Sequence, residues 1–127
     1  MANKYIQAKD GNDNAYFRSK MELIWSNPAP QNQFAPQTIS IPGLAKYEKF
    51  LCVFKRITTQ QGVEVTVLTR KTVYVSVIGM PAYKIAVRDF ELTNNQAIFT
   101  DATLISSLGS GSTDNNYLIP YQIYGLD

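Results

Sequence analysis

Residues 63–69 read VEVTVLT, and this run decides how the chain is interpreted. Valine recurs at every second position, so Val63, Val65 and Val67 share one face of an extended strand that is buried on one side. Residues 72–77 (TVYVSV) repeat the alternation after a short polar break. Two β-branched runs joined by such a break predict a β-hairpin.

The run upstream of this pair, residues 50–54 (FLCVF), is apolar at every position. Its length and aromatic content favour a strand over a helix, and we expect a central strand that is covered on both faces. Cys52 lies within it, so we expect a buried thiol with a raised pKa. Because it is the only cysteine, it forms no internal disulfide and leaves the redox compartment open.

Downstream of the pair, the alternation changes phase within one run. Ile85 and Val87 share one face of a strand, and Phe90 falls on the opposite face. A phase change of this kind predicts a β-bulge near Arg88 and Asp89.

The last run of the chain alternates from Tyr117 to Ile123 and contains Pro120. Proline has no backbone N–H, so we expect this strand to lie at a sheet edge or to carry a bulge. Tyr117 and Tyr121 share the phase of the isoleucines and are expected in the core. Tyr124 lies on the other face and is the better candidate for an interface.

The whole pattern predicts an all-β fold, because no part of the chain carries the apolar stripe of a helix and about seven to nine short strands are separated by turn-rich stretches. We expect an antiparallel β-sandwich, jelly-roll-like, or a barrel. With 127 residues the chain forms one domain, which we assign to residues 21–127. Residues 1–20 are interpreted as a leader that docks on a neighbouring protein, with Tyr5, Tyr16 and Phe17 as its interface candidates.

The composition argues against several classes of function. The chain has no histidine, which removes Ser-His-Asp and Cys-His nucleophile systems, histidine-containing zinc sites and HExxH metalloproteases. A net charge of +2 is too small to indicate nucleic acid as a partner. No apolar run follows Lys4, which predicts no signal peptide, and no stretch has the length of a membrane-spanning helix. We therefore expect no enzymatic activity, no cofactor and no insertion into a membrane.

The charge is distributed unevenly along the chain. Residues 1–71 carry ten Lys or Arg and five Asp or Glu, whereas residues 72–127 carry two and five. One interpretation is electrostatic head-to-tail docking between copies. The other is that the sandwich topology interleaves the two halves and averages the charge.

Four polar segments are candidates for chemistry. Asp89 and Glu91 would share one face of an unbroken strand, as an acid–base pair requires, but the same spacing arises on any solvent-facing strand. Residues 10–14 (DGNDN) and 114–116 (DNN) offer oxygen ligands, lack the EF-hand pattern and are interpreted as turns without a metal. Residues 109–113 (GSGST) are interpreted as a flexible loop.

Aromatic side chains are the best candidates for recognition. Trp25 and Phe34 flank a proline-rich stretch, and Tyr124 belongs to a group of tyrosines near the C-terminus. Tyrosine and tryptophan combine an apolar body with a polar tip, which suits protein interfaces and the faces of sugar rings.

Three segments of the chain together carry a resemblance to a known group of proteins. The first is residues 22–30 (ELIWSNPAP) with residues 34–41 (FAPQTISI), and the second is the aromatic strand at residues 47–54. The third is the ending at residues 116–125 (NYLIPYQIYG). These segments resemble small structural proteins of tailed bacteriophages from Gram-positive and gut bacteria. Arg88 also stands where that group often has an arginine followed by a strand.

The resemblance implies a virion component, commonly a homotrimer, that assembles with other virion proteins and takes part in host attachment. It carries over no catalytic residue. We therefore expect a tail, baseplate, fibre or capsid-decoration protein that is made in the host cytoplasm and located in the virion. The alternative is a carbohydrate-binding module without catalytic activity, which a monomer with an exposed aromatic platform would favour; a virion component that binds a host-surface glycan would combine the two.

Overall fold

The computed structural model describes residues 3–9, 15–59, 63–69, 75–79, 84–106 and 109–126. Within these residues the chain forms ten strands and one 3-10 helix, the latter at Pro42–Lys46. The strands are β1 (Asn3–Lys9), β2 (Ala15–Ser26), β3 (Gln37–Ser40), β4 (Lys49–Ile57), β5 (Val63–Thr69), β6 (Val75–Gly79), β7 (Ile85–Leu92), β8 (Gln96–Ile105), β9 (Gly111–Thr113) and β10 (Tyr117–Leu126). No helix in the described part of the chain is long and apolar enough to cross a membrane.

The strands form two antiparallel sheets that pack together. Sheet A has the order β1-β2-β10-β4-β5, and sheet B has the order β3-β8-β7-β6 with β9 also paired to β8. This arrangement confirms the predicted all-β sandwich. Between the sheets, buried side chains from both inner faces form one core, in which phenylalanines contribute most of the large groups.

The predicted hairpin between the two valine runs is wrong. β5 pairs with β4 in sheet A, where Val65 lies opposite Val53, and β6 pairs with β7 in sheet B, where Val75 lies opposite Phe90. Alternation shows that a strand has one buried face, but it does not show which strand is the hydrogen-bonded neighbour. The two runs therefore belong to different layers of the sandwich.

Of the two positions expected for the strand that contains Pro120, the edge is not the one found, because the strand lies in the middle of sheet A between β2 and β4. The expectation of a bulge is confirmed, because the register with β4 shifts between Pro120 and Gln122. The bulge places the missing N–H where the ladder is already interrupted. It also changes the phase of the strand: Leu118 is buried, Tyr117 packs against the core as expected, and Tyr121 is only half-buried.

The bulge expected near Arg88 is present, but its extra residue belongs to the opposite strand. Arg88 pairs with Ala102 and Phe90 pairs with Phe99, so two residues of β8 face one residue of β7. β7 itself keeps a constant alternation, with Ala86, Arg88 and Phe90 buried. Ile85 therefore points away from the core, and the change of phase expected within this strand does not occur in β7.

The N-terminal strands belong to sheet A. β1 pairs with β2 along its whole length, and β2 continues through residue 20 to Ser26, so the boundary expected at residue 20 lies inside one strand. The side chains of Tyr5, Tyr16 and Phe17, and the turn expected at residues 10–14, lie outside the described part of the structure.

The segment predicted as a glycine- and serine-rich loop contains a strand. Gly111–Thr113 forms β9 and pairs with Thr103, Leu104 and Ile105 of β8. A short edge strand of this kind satisfies backbone groups that a loop would leave to solvent.

Candidate functional site

The segment after β2 is anchored to the bulge of β10 by one buried asparagine. The side-chain Nδ2 of Asn27 donates to the carbonyl of Pro120 at 2.7 Å, and its backbone N–H donates to the carbonyl of Tyr121 at 2.8 Å. Its Oδ1 accepts from the N–H of Ala29 at 2.9 Å, which turns the chain toward Pro30. Asn27 thus satisfies carbonyls at the bulge and sets the start of the loop between β2 and β3.

The same loop is held at its other end by Phe34. Its backbone N–H donates to the carbonyl of Asn115 at 2.9 Å. Its ring is buried and meets the edge of Phe99, with 5.3 Å between the ring centroids. Because hydrogen bonds anchor this loop at both ends, its conformation is fixed, which suits a preformed binding surface.

Between these two anchors lies a hollow with a volume of about 410 Å³. Its nine described lining residues carry no charge and combine aromatic, aliphatic and amide side chains. They are Trp25, Asn27, Pro28, Ala29, Asn32, Gln33, Phe34, Gln37 and Ile39.

The polar groups of the hollow are mostly side-chain amides. Gln37 donates from Nε2 to the carbonyl of Ala35 at 3.0 Å, which orients its amide. The exposed amides of Asn32 and Gln33 form no hydrogen bond with the described part of the chain. Their donors and acceptors are therefore directed to solvent or to a ligand.

Trp25 connects the hollow with the core. The residue is half-buried, and its ring lies against Phe99 with 6.3 Å between the centroids and 32° between the planes. An indole that is supported from behind and borders an uncharged, amide-rich hollow has the chemistry that binds the apolar face and the hydroxyls of a sugar ring.

Behind the hollow lies a fully buried arginine. Arg88 is 0% exposed, and its guanidinium carbon lies 5.5 Å from the centre of the Phe34 ring. Its Nε donates to the carbonyl of Leu118 at 2.9 Å, Nη1 to that of Thr100 at 2.6 Å and Nη2 to that of Tyr117 at 3.1 Å. Burial lowers the pKa of Arg88 to about 10, an effect that the negative charge of Asp101 opposes. The group therefore remains charged at neutral pH.

Asn115 completes this polar cluster. Its Oδ1 accepts from the backbone N–H of Ala102 at 2.8 Å and from Arg88 Nη2 at 3.4 Å. Its Nδ2 donates to Asp101 at 2.7 Å. Because its own carbonyl binds Phe34, the cluster links the bulge of β8 to the wall of the hollow. Arg88 is therefore a positioning residue for the hollow.

From the sequence, Asn27 was placed only within the resemblance, and Arg88 was placed at a bulge and within the resemblance. A signal for Arg88 was available, because it lies in phase with Ala86 and Phe90 on one face of its strand. Polar residues in an apolar phase are unusual unless several acceptors surround them, and those acceptors come from distant parts of the chain.

The two predicted interface residues whose side chains the structure describes, Trp25 and Tyr124, do not lie on one surface. Trp25 pairs with buried Ile123 and packs against the core, whereas Tyr124 lies on the outer face of sheet A between Leu23 and Leu51. Tyr124 is half-buried, and its hydroxyl donates to the Gln122 side chain at 2.7 Å. The two residues therefore belong to opposite faces of the same sheet, and only Trp25 borders the hollow.

The polar segments and the cysteine that were candidates for chemistry lie on strand faces, in a turn and in the core. Asp89 and Glu91 lie on the outer face of β7. Asp114 accepts from the backbone and side-chain nitrogens of Asn116 at 3.1 and 3.0 Å, which confirms a turn. No group of three or more His, Cys, Asp or Glu residues that could hold a metal ion occurs in the described ranges. Cys52 is buried as expected, and burial raises the pKa of its thiol to about 12.

A scan against protein-family models and searches of curated proteins and solved structures find no match to this chain.

Proposed function

We propose that this chain is a non-catalytic structural component of a tailed-bacteriophage virion, which assembles with other virion proteins and takes part in host attachment. One observation carries the proposal: the three segments that bear the resemblance interlock in the fold. Asn27 of the first segment binds the carbonyl of Pro120 in the third.

The second segment joins the other two through Tyr47. Its hydroxyl donates to the carboxylate of Glu22 in the first segment. Its ring lies against Gly125 of the third segment, where an added Cβ would stand only 2.3 Å from Cδ2 of the ring. The three segments that bear the resemblance therefore contact one another in the fold and form one structural unit.

The proposal is tested by finding whether the chain is present in purified phage particles. Particles released from a lysogen or an infected culture that encodes it are purified by density gradient, and their proteins are identified by mass spectrometry. The chain is expected in intact particles at a constant ratio to the major capsid protein. Its presence in the lysate together with its absence from purified particles would overturn the proposal.

A second candidate function, recognition of a neutral glycan without catalysis, is favoured by the hollow beside Trp25. The hollow is uncharged, has two amides that are not engaged by the described chain, and has the size of a site for one or two sugar rings. This function is compatible with a virion component, because attachment to a host glycan would use the same surface.

Trp25 is the only tryptophan of the chain, so its fluorescence reports directly on the hollow. Titration with neutral saccharides such as glucose, galactose and chitooligosaccharides is expected to shift the emission of the wild-type protein. The double variant Asn32→Ala/Gln33→Ala should bind about 30-fold more weakly, since two hydrogen bonds of about 1 kcal/mol each are lost.

The matched control is Gln96→Ala, which removes an exposed amide from β8 outside the hollow. It should leave the titration unchanged. If no saccharide in the panel changes the emission of Trp25, the glycan function is contradicted, whereas the virion proposal is decided by the particle experiment alone.

A further inference from the structure

The two sheets differ in the charge of their strands. The strands of sheet A carry seven lysines or arginines and two glutamates. The strands of sheet B carry one arginine, the buried Arg88, and three carboxylates. The strands of the two sheets therefore carry net charges of opposite sign.

Sheet A presents an apolar outer face. Leu23, Tyr124 and Leu51 pair across three neighbouring strands and share one side of the sheet. Val53 and Val65 pair in an adjacent row of the same side, and Val65 is 55% exposed. This side is the outer one, because the alternate residues of β4 are buried in the core.

Sheet B also has apolar side chains on its outer face. Ile78 lies opposite Val87, and Ile85 lies two residues before Val87 on the same side of β7. Ile78 is 57% exposed and Ile85 is 41% exposed. Together with Val65, these are the large apolar side chains that stand out as exposed in the described part of the chain.

Charged groups of opposite sign lie among these apolar residues. Lys49 and Lys55 are in phase with Leu51 on the outer face of sheet A, and Asp89 and Glu91 are in phase with Val87 on the outer face of sheet B. Docking of sheet A on a second sheet A would bring lysines together, and docking of sheet B on sheet B would bring carboxylates together. Only the pairing of unlike sheets places opposite charges beside the apolar contacts.

We propose that the outer face of sheet A of one copy docks on the outer face of sheet B of a second copy of this chain. The proposal rests on the assembly role proposed above and names the surfaces that would serve it. Because the contact uses two different surfaces, each copy can bind a neighbour at both faces, and the assembly closes into a ring or extends as a filament. Exposed apolar residues beside complementary charges are the usual composition of such a contact.

Two single variants test the pairing. Val65→Glu places a carboxylate on the outer face of sheet A, and Ile78→Arg places a cation on the outer face of sheet B. Both positions are more than half exposed, so the fold should tolerate the changes. Sedimentation velocity and native mass spectrometry are expected to show self-association of the wild type, its loss in each variant alone, and complexes containing both variants when the two are mixed.

The mixing result is specific to unlike faces, because each variant keeps the face that the other has lost. Ala45→Arg, an exposed position on the 3-10 helix, is the matched control and should associate like the wild type. The proposal is overturned if the wild type is monomeric up to about 1 mM. It is also overturned if one variant associates as well as the wild type, or if mixing restores nothing.

The outcome is separable from the proposed function. A monomeric wild type contradicts this interface while the chain can still be found in purified particles. Absence from particles contradicts the virion role and leaves the sedimentation result as it stands.

Discussion

The two faces of β4 carry side chains of similar apolarity in different surroundings. On the inner face, Phe50, Cys52 and Phe54 are at most 2% exposed, because sheet B covers them. On the outer face, Leu51 and Val53 are half-buried by their neighbours within sheet A alone. The inner face therefore contributes most of its hydrophobic free energy to folding, whereas the outer face keeps apolar area that a second molecule can cover.

The interior is not uniformly apolar either. Arg88 occupies an inner position of β7 in phase with Phe90, and its guanidinium lies over the ring of Phe34. It is tolerated there because three carbonyls accept its hydrogen bonds. If inner residues stabilise the fold and outer residues serve association, substitutions at inner positions should lower the free energy of unfolding much more than substitutions at outer positions.

The largest loss is expected for Arg88→Ala. The substitution leaves buried carbonyls without donors and opens a cavity beside Phe34, so the free energy of unfolding should fall by about 4 kcal/mol. Urea denaturation followed by circular dichroism measures it. Arg88→Lys keeps the charge but has a single side-chain nitrogen, so it should recover only part of the lost stability. Full recovery would show that the positive charge, and not the set of three hydrogen bonds to carbonyls, stabilises the fold.

The next effect is the direct comparison of the two faces of β4. Phe54→Ala should lower the free energy of unfolding by about 3–4 kcal/mol, because it removes a buried ring whose centroid lies 5.2 Å from that of Phe90. Val53→Ala, one residue away on the outer face, should lower it by about 1 kcal/mol or less. Equal losses in the two variants would mean that the outer face is as fully covered as the inner one in the isolated chain.

A smaller loss, about 2 kcal/mol, is expected for Gly125→Ala, since the new Cβ would overlap the ring of Tyr47 at 2.3 Å. Gly111→Ala is the control, because its Cβ would meet only side-chain atoms of Thr103 and Ile105, the nearest at 3.6 Å. Thermal unfolding of both variants gives the measurement. Similar melting temperatures for the two would contradict the close approach of Tyr47.

The smallest effect at neutral pH concerns Cys52. Burial raises the pKa of its thiol from 9.0 to about 12, so the unfolded chain loses this proton at a lower pH than the folded chain. Between these two values the folded state binds more protons, and this group makes stability fall as pH rises. The free energy of unfolding of the wild type should therefore decline more steeply above pH 9 than that of Cys52→Ala. Parallel pH profiles would show an accessible thiol.

Most strands of the fold could be predicted from the sequence, but the strands with which they pair could not. The alternation of valines predicted two strands correctly, but assigned them to one hairpin although they lie in different sheets. Pro120 predicted a bulge correctly, but the same missing N–H also suggested an edge position that the strand does not have. The local alternation of side chains indicates which face of a strand is buried, whereas the pairing of that strand with another depends on segments far away in the chain.

The candidate site was predictable in part. Trp25 was recognised from its residue type, and it borders the hollow. The amides beside it carry no periodic signal, and the cluster of Arg88 with Asn115 depends on carbonyls that β8 and β10 bring together only in the folded chain. A buried charge becomes intelligible only when its acceptors are known.

The sequence by itself determined that this chain folds as strands, because a side-chain period of two is a property of the extended backbone and needs no distant partner. The tertiary structure alone decided which apolar face is covered and which remains half-exposed. It also decided that Arg88 is satisfied inside the sandwich, and that the strands of sheet A carry mainly basic side chains whereas those of sheet B carry mainly carboxylates. These features arise from contacts between residues that are far apart along the chain, and a local pattern does not contain that information.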